Sequence, residues 1–255
     1  MKIAITGKGG VGKTTVAAAL ACTYARRGHA VVALDADPNP NLGIALGMDP
    51  DETDHFASVA NALVREGAAH HHDSGAFQAP EREAEQLLGD LGVEAPDGIR
   101  LIQTGRIESS TDGCLCCGSH RATRRLFDEL SGHDRVIVAD LEAGVTDLCW
   151  TDPKPEDTVV IVATTDRSSL EIARRARQVT SDLGVGRVLV VANRVRGPED
   201  SDEVREFMAG SELVWVPEDP AVSEAERSGT SLLDLAGVSP ASAALGSLAT
   251  RMLPS

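Results

Sequence analysis

The sequence predicts an α/β fold, in which one doubly wound, mostly parallel β-sheet carries helices on both of its faces. Short runs of apolar and β-branched residues alternate along the chain with longer helix-forming stretches. The runs are apolar almost throughout, as expected for parallel strands that are buried on both faces. A glycine-rich loop, residues 7–14, follows the first run. Loops at this position line the ligand-binding crevice of doubly wound sheets.

The individual elements follow from the same pattern. Strands are predicted at residues 2–6, 31–34, 99–103, 136–139, 158–163 and 187–192, with a weaker run at 213–216. Helices are predicted at residues 14–27, 81–91, 119–130, 170–183, 202–208 and 241–253. The chain has 255 residues, of which 42% are hydrophobic, enough apolar material for one core. We therefore expect a single domain, residues 1–255, with an insertion at about residues 67–92 after the second strand.

The most linker-like part of that insertion is residues 67–80, which contain His70, His71 and His72. Short histidine tracts can bind metal ions. The glycine, alanine and serine residues around this tract favour an exposed loop instead.

The negative net charge of the chain disfavours nucleic acids and anionic membranes as partners. The chain has 24 basic and 39 acidic residues and a formal net charge of −15. Binding to the phosphates of nucleic acids or to anionic membranes depends on lysine and arginine patches, which this composition supplies poorly. No apolar run approaches the ~18 residues of a membrane-spanning helix. The five cysteines form no disulfide framework, so we expect a reducing, cytoplasmic location.

The glycine-rich loop matches two templates. As Gly7-x-Gly9-x-x-Gly12 it fits a dinucleotide-binding turn, with Asp35 where a ribose-binding acid would stand. With Lys13 and Thr14 added it fits a P-loop, which needs an amine for the β- and γ-phosphates and a hydroxyl for Mg²⁺. A dinucleotide-binding turn needs neither the amine nor the hydroxyl, so the P-loop is favoured. A simple tight turn would not explain the four glycines together with Lys13 and Thr14. The predicted nucleotide-binding residues are Gly9, Gly10, Val11, Gly12, Lys13, Thr14 and Thr15.

Lys8 is an unusual residue for a P-loop. The chain has only four lysines against twenty arginines, and a P-loop does not require lysine at this position. The segment from Lys8 to Thr15 resembles the deviant Walker A motif of the MinD, ParA, nitrogenase iron-protein and arsenite-pump ATPases. The resemblance implies slow ATP hydrolysis, Mg²⁺ as a cofactor and an ATP-dependent homodimer. In such a dimer Lys8 would reach the phosphates on the partner subunit; a solvated loop lysine is the alternative.

Carboxylates and an amide follow other predicted strands, at the edge where ligands bind. By resemblance to the same family, Asp37 would position the attacking water and Asp35 would support the metal site. Asp140 ends an apolar strand, as in Walker B motifs, and would hold Mg²⁺. The segment after it, residues 142–144, would sense the γ-phosphate. Weaker resemblances suggest adenine contacts from the residues Asn193, Pro217, Glu218 and Asp219, although an asparagine after a strand is often only a cap.

The cysteine cluster indicates which branch of this family the chain resembles. Cys114, Cys116 and Cys117 precede a predicted helix, a position that favours the metal-binding thiolate. One chain offers too few sulfurs for a closed four-ligand site, whereas a dimer would supply Cys114 and Cys116 twice. The pair resembles the motif of CooC-type accessory ATPases of carbon monoxide dehydrogenase maturation, which implies Zn²⁺ or Ni²⁺ at a dimer interface. Cys117 departs from that motif, and a buried thiol cluster is the alternative.

Together these features predict an ATPase that couples its nucleotide state to metal transfer toward a nickel enzyme. Two other classes stay open. One is a ParA- or MinD-like positioning ATPase that acts on DNA or membrane, which the negative charge disfavours. The other is an arsenite-pump or protein-targeting type of ATPase, which would use Lys8 and Asp37 without the cysteines.

Overall fold

The computed structural model describes residues 1–53, 56, 83–105, 123–124, 126–130, 135–151, 153–235 and 238–253. Over these residues the chain forms an eight-stranded sheet with the strand order β3-β4-β2-β5-β1-β6-β7-β8. The strands are β1 Lys2–Gly7, β2 Ala30–Asp35, β3 Val93–Ala95, β4 Ile99–Gln103, β5 Arg135–Asp140, β6 Thr158–Ala163, β7 Arg187–Val195 and β8 Glu212–Pro217. All neighbouring strands are parallel except β3, which is antiparallel to β4. The predicted fold class is confirmed.

Helices cover the sheet. They are α1 Lys13–Arg26, α2 Leu42–Ala45, α3 Pro50–Thr53, α4 Ala84–Leu91, α5 Thr146–Thr151, α6 Arg167–Asp182, α7 Pro198–Phe207, α8 Pro220–Ser228 and α9 Pro240–Met252. Residues 123–124 and 126–129 are also helical. No helix in the described part of the chain is long and apolar enough to cross a membrane.

The strand predictions were accurate, and the one strand that they missed among the described residues is short. Each of the seven predicted strands is present within a few residues of its predicted limits. The extra strand, β3, has three residues and is followed by a turn at Asp97, whose φ is 60°. A run of three residues is too short for hydrophobic periodicity to reveal. The short helices α2, α3 and α5 and the nine-residue helix α8 were also not predicted.

Alternation along the strands divides the core into two layers. In β1, Ile3 and Ile5 pack on one side of the sheet with helices α1 and α9, while Ala4 packs on the other side with α6. Helix α1 is rich in alanine and is buried from Val16 to Tyr24. It therefore packs closely over the centre of the sheet. This packing fixes the amino end of α1 beside the carboxyl ends of β1, β2 and β5, where the predicted site lies.

Candidate nucleotide-binding site

The loop between β1 and α1 adopts a backbone that depends on glycine. Gly12 precedes the first residue of α1 and has a φ of 95°, and a Cβ there would lie 2.4 Å from Nδ2 of Asn193. Gly7 has a φ of 150°, and a Cβ there would lie 2.3 Å from the carbonyl oxygen of Val162. The loop ends at a helix amino terminus, whose first N–H groups have no partner within the helix and can bind an anion.

Lys13, Thr14 and Asp140 form the polar centre of the site. The Thr14 hydroxyl donates a hydrogen bond of 2.7 Å to Oδ2 of Asp140. Oδ1 of Asp140 is buried and has no hydrogen-bond partner among the described residues. Lys13 is 7% exposed. An amine, a hydroxyl and an unsatisfied carboxylate oxygen thus meet at the start of α1, as the P-loop prediction requires.

Asp35 stands beside Asp140 in the sheet, because the two residues pair in register between β2 and β5. Its Oδ2 accepts a 2.9 Å hydrogen bond from the Leu42 N–H, and its Oδ1 accepts a 3.3 Å bond from the Asp37 N–H. Asp35 therefore organises the turn after β2 that carries Asp37. That turn is closed further by a 2.8 Å bond from the Asn39 N–H to Oδ1 of Asp37.

Both of these neighbouring carboxylates have a raised pKa. Burial raises the pKa of Asp35, the negative charge of Asp140 raises it further, and the N–H groups of Leu42 and Asp37 oppose the shift. Burial also raises the pKa of Asp140, while the Thr14 hydroxyl and the charge of Lys13 oppose the shift. Mg²⁺ prefers oxygen ligands and keeps several waters. The unsatisfied oxygen of Asp140 and the Thr14 hydroxyl fit such an ion, with Asp35 behind them.

A pocket of about 520 Å³ joins this centre to a region between helices. Its phosphate end is lined by Gly9, Gly10, Gly12, Lys13, Thr14, Thr15 and Asp37. Its helical end is lined mainly by apolar residues from α1, α2, α8 and the segment after α8, namely Ala18, Ala19, Ile44, Ala45, Val222, Ala225 and Leu232. A pocket of this size with one cationic and one apolar end suits a nucleotide, whose charge is concentrated at one end.

The comparisons with known proteins agree with this geometry. The model of the CobQ/CobB/MinD/ParA nucleotide binding domain matches residues 2–232. The chain belongs to that family. It is 31% identical to an uncharacterized ATP-binding protein of Methanocaldococcus jannaschii over 89% of this chain and 88% of that protein. It is 29% identical to the carbon monoxide dehydrogenase accessory protein CooC of Rhodospirillum rubrum over 92% and 90% of the two chains. As a member of the CobQ/CobB/MinD/ParA family, it is a P-loop ATPase.

A solved structure shares the fold of this family member. MinD of Pyrococcus horikoshii, determined with Mg-ADP, superimposes with a TM-score of 0.73 at 21% identity, covering 98% of this chain and 94% of that one.

Lys8 lies at the rim of the site in this family member. Its Nζ donates a 2.8 Å hydrogen bond to Oγ of Ser168, which is exposed near the start of α6. Unlike Lys13, it does not line the pocket of its own chain. Its predicted role across a dimer stays a prediction.

The residues predicted to contact adenine have other partners in this structure. Nδ2 of Asn193 donates a 2.8 Å bond to the carbonyl oxygen of Val11 and so supports the P-loop. Asp219 accepts bonds from the N–H groups of Ala221 and Ala241, at 3.0 Å and 2.9 Å, and so caps α8 and α9. Their adenine contacts, and those of Pro217 and Glu218, stay predictions.

Sequence reasoning missed four polar residues of the pocket wall, which are Asn41, Arg194, Glu226 and Thr230. One signal was available for Glu226, because Asp219-Pro220 is an N-cap followed by a proline, which is a typical start of a helix. Nothing in the sequence indicated that this helix lies beside α2 and lines the same pocket as α1.

The sequence predicts a metal site at the cysteine pair and an exposed loop at the histidine tract. Cys114, Cys116 and Cys117, like His70, His71 and His72, lie outside the residues that the structure describes. Within the described residues, no group of three or more His, Cys, Asp and Glu side chains is arranged to hold a metal ion. An Mg²⁺ ion at Asp140 would therefore need further ligands from Thr14, water and the nucleotide.

Proposed function

We propose that this chain is a Mg²⁺-dependent ATP hydrolase that closes into a homodimer around ATP and assists the maturation of a nickel enzyme of the carbon monoxide dehydrogenase type. The observation that carries the ATPase part is the group formed by Lys13, Thr14 and Asp140 at the phosphate end of the pocket. These residues supply a cation for the phosphates and ligands for Mg²⁺.

The remaining residues of the site have distinct roles in this proposal. Asp37 lines the phosphate end and orients the attacking water. Asp35 supports Asp140 and holds the turn that carries Asp37. Lys8, half-buried at the rim and directed at Ser168, is available to the phosphates of a second subunit. In the dimer, each active site then contains one lysine from each chain.

The maturation part rests on the sequence similarity to CooC and on the pair Cys114 and Cys116. Two copies of this pair offer four thiolates, which is the ligand set of a closed site for Zn²⁺ or Ni²⁺. Hydrolysis would open the dimer and release the metal ion toward the client enzyme. A formal charge of −15 is unfavourable for the alternative of a DNA- or membrane-bound positioning ATPase.

ATP hydrolysis is tested with Lys13→Ala. We expect the variant to lose more than about a hundredfold in kcat/KM, because electrostatic stabilisation of the phosphates is the main catalytic contribution in such sites. Phosphate release is the measurement. Lys154→Ala, the same change away from the pocket, is the control and should keep normal turnover. A wild-type chain that hydrolyses no ATP in the presence of Mg²⁺ would contradict the proposal.

The dimer is tested with Lys8→Ala and Asp37→Ala side by side. Sedimentation with ATP should show a dimer for the wild-type protein and a monomer for Lys8→Ala, which should still bind nucleotide. Asp37→Ala should remain dimeric with ATP and should not turn over. If Lys8→Ala dimerises normally, the shared active site is wrong.

The metal site is tested by replacing Cys114 and Cys116 with serine. Metal analysis should give roughly one Zn²⁺ or Ni²⁺ per wild-type dimer and none for the double variant. Cys149→Ser, a change at an exposed cysteine of α5, is the matched control. Retention of the metal by the double variant would assign it to Cys117 or to the histidine tract. Tight binding of the wild-type protein to DNA or anionic vesicles at physiological salt would favour a positioning ATPase.

A further inference from the structure

The backbone after Asp140 turns back beneath the P-loop. The Leu141 N–H continues the strand pairing with a 3.0 Å hydrogen bond to the carbonyl oxygen of Ile5. Gly144 then pairs antiparallel with Gly7, and its N–H donates a 2.9 Å bond to the Gly7 carbonyl. The segment 141–144 is thus attached to β1 at both of its ends, directly after the carboxylate that would hold Mg²⁺.

One side chain of β1 takes part in this attachment. Thr6 is fully buried, and its hydroxyl donates a 2.7 Å hydrogen bond to the carbonyl oxygen of Gly144. The contact joins residues 138 positions apart in the sequence. Gly144 itself has a φ of 108°, which only glycine adopts without strain. With its N–H bound by Gly7 and its carbonyl bound by Thr6, Gly144 is held in this conformation from both sides.

The segment held in this way reaches the phosphate end of the pocket. Ala143 lines the pocket. A Cβ placed on Gly9 of the P-loop would lie 3.6 Å from Cβ of Ala143, so the two backbones are in close approach. The middle of the segment is held by a 2.9 Å bond from the Glu142 N–H to Oδ2 of Asp147. A shift of Gly144 would therefore move Ala143 relative to the phosphate cradle.

We propose that Thr6 is a positioning residue of the ATPase cycle, whose hydroxyl fixes segment 141–144 against the P-loop through the Gly144 carbonyl. The inference rests on the proposed ATPase function and adds a residue to it. Thr6 does not line the pocket, and it acts through Gly144. Without the hydroxyl, the Gly144 carbonyl loses its side-chain donor, and the segment samples positions that misplace Asp140 and Ala143 for hydrolysis.

The test compares Thr6→Val, which removes the hydroxyl at nearly constant shape, with Thr6→Ser, which keeps it. Hydrogen exchange of the Gly144 amide in the nucleotide-free protein should be about tenfold faster in Thr6→Val, because the segment opens more often. The kcat for ATP should fall about fivefold to tenfold, while the Kd for ADP stays within about twofold, since ADP is bound by the P-loop. Thr6→Ser should match the wild-type protein in all three measurements.

Gly144→Ala changes the residue that accepts the hydrogen bond from Thr6. It is the variant to test if Thr6→Val does not fold. Space for a Cβ is open at Gly144, but its φ strains an alanine, so the variant should also lower kcat without weakening ADP binding. Unchanged amide exchange in Thr6→Val, equal losses in Thr6→Val and Thr6→Ser, or an ADP affinity that falls together with kcat would overturn the inference. The exchange measurement needs no turnover. An inactive wild-type protein would therefore refute the proposed function and leave the role of Thr6 to be decided by exchange.

Discussion

The two ends of the pocket are built in opposite ways. The phosphate end comes mainly from one continuous loop and helix start, residues 9–15, together with Asp37. The helical end is assembled from α1, α2, α8 and the segment after α8, whose lining residues Ile44 and Leu232 lie far apart in the sequence. One end is charged and depends on backbone geometry. The other is mostly apolar and depends on how helices pack.

Phosphate binding and nucleoside selection therefore depend on different parts of the molecule. The phosphate end can bind any polyphosphate, because a helix amino terminus and an amine recognise charge. Selection of a nucleoside has to come from the helical end or from residues beside it. Variants that separate the affinity for a polyphosphate from the affinity for ATP therefore test the comparison directly.

The largest effect is expected from filling the helical end. Val222→Trp should weaken ATP binding by about tenfold or more, because the larger side chain occupies the space left for the nucleoside. Binding of inorganic triphosphate should stay within about twofold. Titration calorimetry with both ligands is the measurement, and Val238→Trp, at a position 85% exposed, is the control. Equal losses for both ligands would show that the two ends are not separate.

An intermediate effect is expected at Asn193, which was predicted to contact adenine and is bonded to Val11 of the P-loop. Asn193→Ala should weaken ATP and inorganic triphosphate alike, by about fivefold, because loss of this hydrogen bond loosens the phosphate cradle. The same calorimetric pair distinguishes the two roles. A loss confined to ATP would show that Asn193 reads the base.

The smallest effect on nucleotide affinity is expected from a change at Asp219, which caps two helices. Asp219→Ala should lower the free energy of unfolding by about 1–2 kcal/mol at neutral pH and leave ATP affinity unchanged. Burial acts to raise the pKa of Asp219, but the N–H groups of Ala241 and Ala221 outweigh it and hold the pKa below its usual range.

The pH dependence of this stabilisation has a definite sign. A depressed pKa in the folded state means that the contribution is complete above the unfolded pKa of about 4 and is lost as pH falls through the lower folded value. Urea unfolding at several pH values should therefore show the wild-type protein and Asp219→Ala converging in acid. Glu218→Ala, at the exposed neighbouring carboxylate, is the control. Weaker ATP binding by Asp219→Ala at unchanged stability would restore its predicted adenine contact.

The sequence predicted most of the sheet and the phosphate end. Strands such as β6 Thr158–Ala163 are continuous apolar runs, and their pattern is visible locally. It missed β3, which is only three residues long, and the packing of α8 beside α2 at the pocket. The partners of Asn193 and Asp219 were missed as well. An amide near the end of β7 and an N-cap carboxylate can bond to several groups, and the sequence does not show which of them the fold brings close.

The sequence alone determined that Lys13 and Thr14 begin α1 and line the pocket, because a glycine-rich loop between a strand and a helix dictates its own backbone and places its own donors. It also determined the carboxylates Asp35 and Asp140, because both end parallel strands whose carboxyl ends share one edge of the sheet. Only the tertiary structure decided that Thr6 holds Gly144, 138 positions away, and that α2 and α8 close the helical end. Those contacts depend on which distant segments the packed core brings together. The local sequence pattern does not predict contacts between distant segments.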